Sequence, residues 1–339
     1  MLKRRIYPVI IAGGAGERFW PLSRKNFPKQ FLDIFSNRTM IEETLARVKP
    51  LARPNCTYIV TGTNLASLIR RFAGSEIRLL NEPVGKNTAP AIALAAAHIN
   101  HADPQGIMVV LPADHIIKPA AKFISYVRFA CELAHNNDSL VTFGIKPLRP
   151  ETGYGYIELG KMIKTKAKMV AHSVKRFREK PGAPQAKSFI KSGNFLWNSG
   201  MFVWSVKTIL KNFQTCMPKL YSLLELYMPH IGRSSQKSEL KKFYENVEKE
   251  SIDYGVMQKA KNIIVVAADF FWDDVGDWKA LPRILKPDKN NNIKLGGIIS
   301  RGCDDSIIVN KNKTLTTSIL NVKDITLVVT KDAILLASN

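Results

Sequence analysis

The stretch PVIIAGGAGERFWPLSRKNFPKQF, residues 8–31, joins a short apolar run to a glycine-rich, basic loop. The run Val-Ile-Ile at 9–11 predicts the end of a buried strand. Gly13, Gly14 and Gly16 follow it, and no side chain shields the backbone N–H groups of these residues. Bare amides beside arginine and lysine suit a phosphate chain. The stretch therefore predicts a phosphate-binding loop after the first strand.

The composition indicates a globular chain. Its 339 residues, 45% of them hydrophobic, allow one large domain with a smaller one. No apolar stretch reaches the ~18 residues that a membrane span needs, and the start lacks the apolar segment of a secretory signal. The four cysteines lie far apart without a C-x-x-C pair, which argues against a zinc knuckle or a disulfide scaffold. We therefore expect a cytoplasmic protein without a membrane partner.

The net charge of +22 raises the alternative of a nucleic-acid or anionic-membrane binder. The basic residues are spread along the chain, often beside acids, and no helix-turn-helix or aromatic RNA-binding motif accompanies them. Solvent-exposed faces of the fold that carry both basic and acidic residues account for this pattern. We expect no nucleic-acid partner.

Strand and helix patterns alternate through the first half, which is typical of a mostly parallel sheet covered by helices. Beyond Pro150 we expect shorter strands in a mixed sheet. From about residue 286, brief β-branched segments are separated by polar turns. The sequence thus predicts an α/β fold, with a Rossmann-like domain over residues 1–285 and a small C-terminal all-β domain over residues 286–339.

Three phosphate-loop motifs compete for the first stretch. A Walker A loop ends in Gly-Lys-Ser or Gly-Lys-Thr, whereas Gly16 is followed by Glu17. A dinucleotide motif is closer, but its third glycine is missing and Phe19 stands where a small residue is needed. In the third motif, Arg18 and Lys29 converge on one polyphosphate that the loop amides also bind. A nucleoside triphosphate fits this last arrangement.

The same stretch closely resembles the signature of the sugar-phosphate nucleotidylyltransferases. Its Pro-Leu-Ser-Arg and Pro-Lys-Gln-Phe elements are similar to those of members that use GTP and mannose 1-phosphate. Further elements recur in the family's order up to Trp278: NEPVGKNTAPAIALAA, LPADHII, GIKPLRPETGYGYIELG, FREKP, FLWNSGMFVW, SIDYGVMQKA and DDVGDW. The resemblance implies a nucleotidyltransferase domain that transfers GMP from GTP to mannose 1-phosphate.

The resemblance also implies a monofunctional enzyme, because the cupin-like isomerase domain of longer members is missing. The β-rich tail resembles the short left-handed β-helix of compact family members. A homodimer is expected. Two alternatives stay open: a same-fold enzyme for another hexose 1-phosphate or nucleotide, and a non-catalytic basic protein that binds anions.

The residues that the resemblance implies for phosphate chemistry fall into three groups. Gly13, Gly14 and Gly16 would present amides to the triphosphate. Arg18 and Lys29 would offset charge on the leaving pyrophosphate. Asp114 and Asp274 would hold Mg²⁺, which prefers hard oxygen ligands. Asp273 and Asp277 flank Asp274 where the family more often has serine, so extra negative charge surrounds the predicted metal site.

The remaining residues would recognise the base and the sugar. Glu82, Gly85 and Asn87 are candidates for guanine, which offers both donors and acceptors. Gly155, Glu179 and Asn198 would hydrogen-bond the hexose hydroxyls, and Lys180 would bind the sugar phosphate. Asp253 in SIDYGVM is interpreted as structural.

Overall fold

The computed structural model describes residues 4–14, 16–165 and 168–339. The chain divides into two compact units. The large unit holds the described residues of Met1–Gly13, Leu45–Ala113 and Ile117–Trp272. The small unit holds those of Gly14–Thr44, Asp114–Ile116 and Asp273–Asn339.

Strands and helices alternate up to residue 284. The strands are β1 (Ile6–Ile11), β2 (Tyr58–Gly62), β3 (Arg78–Glu82), β4 (Ile107–Pro112), β5 (Ile116–Lys118), β6 (Leu140–Ile145), β7 (Tyr156–Ile163), β8 (Val170–Arg178), β9 (Phe195–Ser205), β10 (Ile263–Ala268) and β11 (Phe271–Asp273). The helices are α1 (Met40–Val48), α2 (Ala66–Ala73), α3 (Thr88–Ala102), α4 (Ala120–Asn137), α5 (Ala183–Ser192), α6 (Val206–Cys216), α7 (Pro218–Tyr227), α8 (Gln236–Asn246) and α9 (Leu281–Ile284).

A mixed sheet organises the large unit, with the strand order β3-β2-β1-β4-β9-β6-β10-β8-β7. β1 runs parallel to both β2 and β4, as the alternating pattern of the first half predicts. β9 is antiparallel to β4 and β6, so the sheet becomes mixed in the second half.

The expectation of shorter strands beyond Pro150 is wrong, because β8 has 9 residues and β9 has 11. Asn198, Ser199 and Gly200 interrupt the apolar pattern of β9 and lower its apparent strand propensity. Pairing on both edges overrides that local preference.

The core of the large unit forms where α3 packs with the sheet. The buried alanines of α3 have almost no exposed surface, and they join β1 and β2 residues such as Val9 and Val60 in one apolar cluster. Small side chains let a helix lie close to the strands. This packing fixes the N-terminus of α3 and the loop that precedes it.

Short strands dominate the C-terminal part of the small unit: β12 (Ile293–Leu295), β13 (Ile298–Arg301), β14 (Ile307–Asn310), β15 (Thr317–Leu320), β16 (Ile325–Val329) and β17 (Ile334–Ser338). β12, β14 and β16 stack in parallel, β13 and β15 form a second parallel pair, and β17 closes antiparallel on β16. Stacked coils of this kind are the pattern of a β-helix. Its left-handedness and the domain boundary at residue 286 stay predictions.

An aromatic pair anchors the glycine-rich loop within the small unit. Phe19 and Trp278 lie 4.9 Å apart between ring centroids, and Trp278 Nε1 donates to the carbonyl of Trp20. Phe19 is fully buried in a cluster with Val309 and Val328 of the β-rich tail. The large residue that conflicts with a dinucleotide motif is therefore a core residue here.

In the described part of the chain, the helices are all too short or too polar to cross a lipid bilayer.

Candidate active site

Gly16 sets the distance between the glycine-rich loop and Lys29. Its φ of +58° lies in the left-handed region. A Cβ atom added to Gly16 would lie 2.5 Å from Lys29 Cβ and 2.6 Å from Lys29 N, closer than real Cβ atoms approach. Only glycine therefore lets the loop pass this close to Lys29.

Lys29 is buried, and its ammonium group has two acceptors. Nζ donates to Asp114 Oδ2 over 2.8 Å and to the backbone carbonyl of Asp274. The Lys29 side chain is only 8% exposed, whereas that of Asp114 is 34% exposed. Burial alone would raise the pKa of Asp114, but the charges of Lys29 and His115 outweigh it and hold that pKa below its usual value. Asp114 is therefore ionised at neutral pH.

The four predicted catalytic residues line one cavity of about 450 Å³ within the small unit. Its lining consists of Gly16, Glu17, Arg18, Lys29, Asp114, His115, Asp274 and Gly276. A Cβ atom added to Gly276 would lie 3.9 Å from Arg18 Nη1 and 3.7 Å from Asp274 Oδ2. Arg18 and Asp274 thus both approach the bare backbone at Gly276.

Three acids, Glu17, Asp114 and Asp274, line this cavity, and the described residues contain no cluster of three or more His, Cys, Asp or Glu side chains with metal-site geometry. Two acids are a sufficient donor set for Mg²⁺, which keeps several waters and takes substrate phosphate oxygens as further ligands. Asp114 and Asp274 therefore fit a magnesium ion held together with a polyphosphate.

The acids that flank Asp274 already have hydrogen-bond partners. Arg283 donates to both oxygens of Asp273, with Nε to Oδ2 at 2.7 Å and Nη2 to Oδ1 at 3.0 Å. Asp277 Oδ1 accepts the backbone N–H of Lys279. These partners offset the extra negative charge around Asp274. Sequence reasoning missed Arg283.

The predicted base-recognition residues belong to the large unit. Glu82 ends β3, is buried, and accepts a hydrogen bond from the hydroxyl of Tyr244 over 3.0 Å. A Cβ atom added to Gly13 would lie 3.5 Å from Glu82 Oε2, so this loop glycine adjoins the carboxylate. Burial raises the pKa of Glu82 to about 7, although the bond from Tyr244 opposes the shift.

Asn87 caps α3 from a left-handed conformation. Its φ is +72°, and its Oδ1 accepts the N–H of Thr88 over 2.8 Å. Two bonds to a distant segment fix this turn: Ile252 N–H donates to Thr88 Oγ1, and Glu250 N–H donates to Lys86 O. The capping role is observed, and the amide NH₂ group of Asn87 can still donate to a ligand. Gly85 is exposed, with open space around its Cα.

The structure brings together three of the predicted sugar-binding residues. Asn198 N–H donates to the carbonyl of Gly155 over 2.8 Å. A Cβ atom added to Gly155 would lie 2.5 Å from Glu179 Oε2, so this position requires bare backbone. Lys180 follows with φ +48°, and its exposed Nζ lies 3.7 Å from Glu179 Oε1.

Asp253 belongs to the same cluster. Asn198 Nδ2 donates to Asp253 Oδ1 over 3.0 Å, while Asn198 Oδ1 accepts from Thr142 Oγ1 and Gly200 N. This network fixes the Asn198 amide. Asp253 begins a π-helical turn (Asp253–Met257), and the SIDYGVM element was the signal that could have placed it here.

The two acids of this cluster have raised pKa values. Burial, followed by the charge of Asp253, raises the pKa of Glu179 to about 7. Burial raises the pKa of Asp253 to about 6, against the hydrogen bond from Asn198. Glu179 Oε2 is buried without a hydrogen-bond partner in the described structure. An orphaned carboxylate oxygen of this kind is a candidate acceptor for a ligand hydroxyl.

The model of the nucleotidyl transferase family matches residues 7–291, and the chain belongs to that family. It is 34% identical over 338 residues to a mannose-1-phosphate guanylyltransferase of Escherichia coli, covering 98% of this chain and 72% of that one. It is 36% identical over 339 residues to a mannose-1-phosphate guanylyltransferase of Salmonella typhimurium, covering 98% of this chain and 69% of the relative.

A solved structure described as a mannose-1-phosphate geranyltransferase from Thermus thermophilus superposes with a TM-score of 0.88. That chain is 33% identical to this one, with 98% of this chain and 95% of that chain covered. The likeness confirms the predicted fold class, and the family match confirms the resemblance drawn from the motifs.

Proposed function

We propose that this chain transfers GMP from GTP to mannose 1-phosphate, forming GDP-mannose and pyrophosphate. The observation that supports it most strongly is the buried Lys29 ammonium, which lies between the Asp114 carboxylate and the Asp274 carbonyl in a cavity that Arg18 also lines. Such a site suits a polyphosphate, and the relatives with this activity match nearly the whole chain.

The chemistry requires no enzyme nucleophile. A phosphate oxygen of mannose 1-phosphate attacks the α-phosphorus of GTP, and the bond from that phosphorus to the bridging oxygen of pyrophosphate breaks. A phosphate monoester has its second pKa near ~6, so the attacking group is largely a dianion at neutral pH. The protein has only to align the two substrates and neutralise charge.

Lys29 and Arg18 neutralise charge on the pyrophosphate. An ammonium group has three N–H donors, and two of those on Lys29 are taken by Asp114 and Asp274. The third can donate to a phosphate oxygen. Arg18 presents a planar fork of donors that matches phosphate geometry. The amides of Gly13, Gly14 and Gly16 add donors that side chains do not cover.

Asp114 and Asp274 would hold Mg²⁺. When bound, the ion supplies positive charge to the phosphate oxygens at the reacting phosphorus. Asp114 is ionised at neutral pH, as a metal ligand must be, because Lys29 and His115 lower its pKa.

Base and sugar recognition is assigned to residues of the large unit. Ionised Glu82 can accept hydrogen bonds from both guanine donors, N1–H and N2–H₂. Asn87 and the amides near Gly85 can donate to the guanine acceptors, O6 and N7. Glu179 and Asn198 bind hexose hydroxyls beside the backbone of Gly155, and Lys180 pairs with the sugar phosphate. The cytoplasmic location and the homodimer belong to this proposal as well.

The test is pyrophosphate release with four nucleoside triphosphates against several hexose 1-phosphates, each with Mg²⁺. We expect the highest kcat/KM for GTP with mannose 1-phosphate. A higher value for another pair would establish the alternative specificity. If turnover is absent and the chain binds DNA or anionic vesicles tightly in a salt-sensitive manner, the enzyme proposal is refuted and the alternative of a basic binding protein is supported.

A further inference from the structure

The backbone at Val275, directly after Asp274, has an unusual conformation. Val275 has φ +53°, a left-handed value that a β-branched residue adopts only under constraint. Its side chain is completely buried in the apolar cluster of Phe19 and Trp278. The turn at Val275 therefore determines where the preceding Asp274 presents its carboxylate and its carbonyl.

An ion pair between the buried carboxylate of Asp273 and the more exposed Arg283 holds this turn. Asp273 is 4% exposed, and its Oδ1 accepts the N–H of Val275 over 2.8 Å. The same oxygen accepts Nη2 of Arg283, and Oδ2 accepts Nε, so the carboxylate is fixed in a two-point fork. Arg283 is itself fixed, because its Nη1 donates to the carbonyl of Lys279.

We propose that the Asp273–Arg283 pair is a positioning device for the metal carboxylate of Asp274. The pair stabilises the left-handed turn at Val275, and that turn directs Asp274 toward the cavity while its carbonyl accepts from Lys29. Arg283 cancels the charge that Asp273 would otherwise add next to the metal ligand. Neither residue of the pair is among the residues that line the cavity. This inference rests on the proposed function, in which Asp274 binds the ion.

The test uses two double variants that leave the net charge unchanged. Asp273→Ala/Arg283→Met removes the pair and the acceptor for Val275 N–H. Asp273→Ser/Arg283→Met removes the pair but supplies a hydroxyl that can accept that N–H. The control, Asp288→Ala/Lys294→Met, deletes another ion pair of the small unit, whose Nζ and Oδ2 lie 2.7 Å apart.

The readout is binding of Mn²⁺ alone, followed by the electron paramagnetic resonance signal of the free ion. We expect the alanine variant to bind Mn²⁺ about 10- to 100-fold more weakly, as is usual when the support of a metal ligand is removed. The serine variant should recover most of this loss, and the control should bind like the unaltered chain. In the pyrophosphate assay, the metal concentration for half-maximal rate should rise while KM for mannose 1-phosphate stays constant.

The outcomes separate the positioning role from the metal role. Urea unfolding of each variant establishes that it is folded. If Asp274→Asn abolishes Mn²⁺ binding but the alanine variant binds as the unaltered chain does, the positioning role is refuted and the metal role stands. If Asp274→Asn binds Mn²⁺ unchanged, the metal role fails and the positioning proposal fails with it. Equal losses in the alanine and serine variants would refute the hydrogen bond to Val275 as the means of positioning.

Discussion

Replacing Gly16 by alanine tests whether the bare backbone beside Lys29 serves catalysis. Two costs follow from the structure. Alanine at φ +58° has left-handed strain of roughly 1–2 kcal/mol. The new Cβ would also lie 2.5 Å from Lys29 Cβ, where ordinary contacts begin at 3.4 Å. One of the two segments must therefore move by about 1 Å, and a displacement of that size at a catalytic group costs about 100-fold in rate.

We expect Gly16→Ala to lower kcat for pyrophosphate release by about 100-fold, with a much smaller change in KM for mannose 1-phosphate. Urea unfolding should show a loss of roughly 1–3 kcal/mol in the free energy of unfolding. Gly193→Ala is the matched control, because Gly193 also has a left-handed φ, +71°, but open space around it. If both variants lose similar stability and both keep full kcat, the close approach to Lys29 has no catalytic role.

Three further substitutions test the other groups of the site. Asp114→Asn removes the carboxylate that accepts from Lys29, and kcat at saturating GTP should fall at least about 100-fold; an unchanged rate in the pyrophosphate assay would refute its metal role. Tyr244→Phe removes the hydroxyl that donates to Glu82, so the pKa of Glu82 should rise further above about 7. KM for GTP should then increase at pH 7 and recover at pH 9, and an equal increase at both pH values would contradict the assignment. In Glu179, the folded pKa of about 7 exceeds the ordinary value of 4.5, so the folded state binds more protons between these values and its stability falls as pH rises through this window. Glu179→Gln removes that cost. Urea unfolding at pH 5 and pH 8 should show that the variant gains free energy of unfolding relative to the unaltered chain, and that this gain grows with pH, up to about 3 kcal/mol. A gain independent of pH would contradict the raised pKa of Glu179.

Local sequence was sufficient to select the candidate phosphate-binding residues. The glycines, Arg18 and Lys29 occur in one continuous stretch, and Asp114 follows a strand whose carboxyl end is a usual place for ligand groups. Asp274 was placed by its motif. These four side chains line one cavity, and their catalytic roles stay predictions.

The contacts that support these groups could not be predicted. Tyr244 lies 162 residues from Glu82, and nothing in the α8 pattern distinguishes this tyrosine from another core aromatic. Arg283 lies 10 residues from Asp273, in a short helix that periodicity does not reveal. The left-handed φ at Val275 depends on both tertiary packing and the neighbouring carboxylate. The sequence Asp-Val-Gly alone therefore does not predict this conformation.

The small unit draws its residues from three separated parts of the chain, and this has a consequence for biosynthesis. Phe19 lies in the first of these parts, but Val309 and Val328, which pack in the same buried cluster, leave the ribosome only after the large unit. Contacts of such long sequence separation form slowly. A nascent chain can pair the parallel strands β1, β2 and β4 before it contains the β-rich tail that buries Phe19, so the glycine-rich loop is fixed only after the large unit has been made.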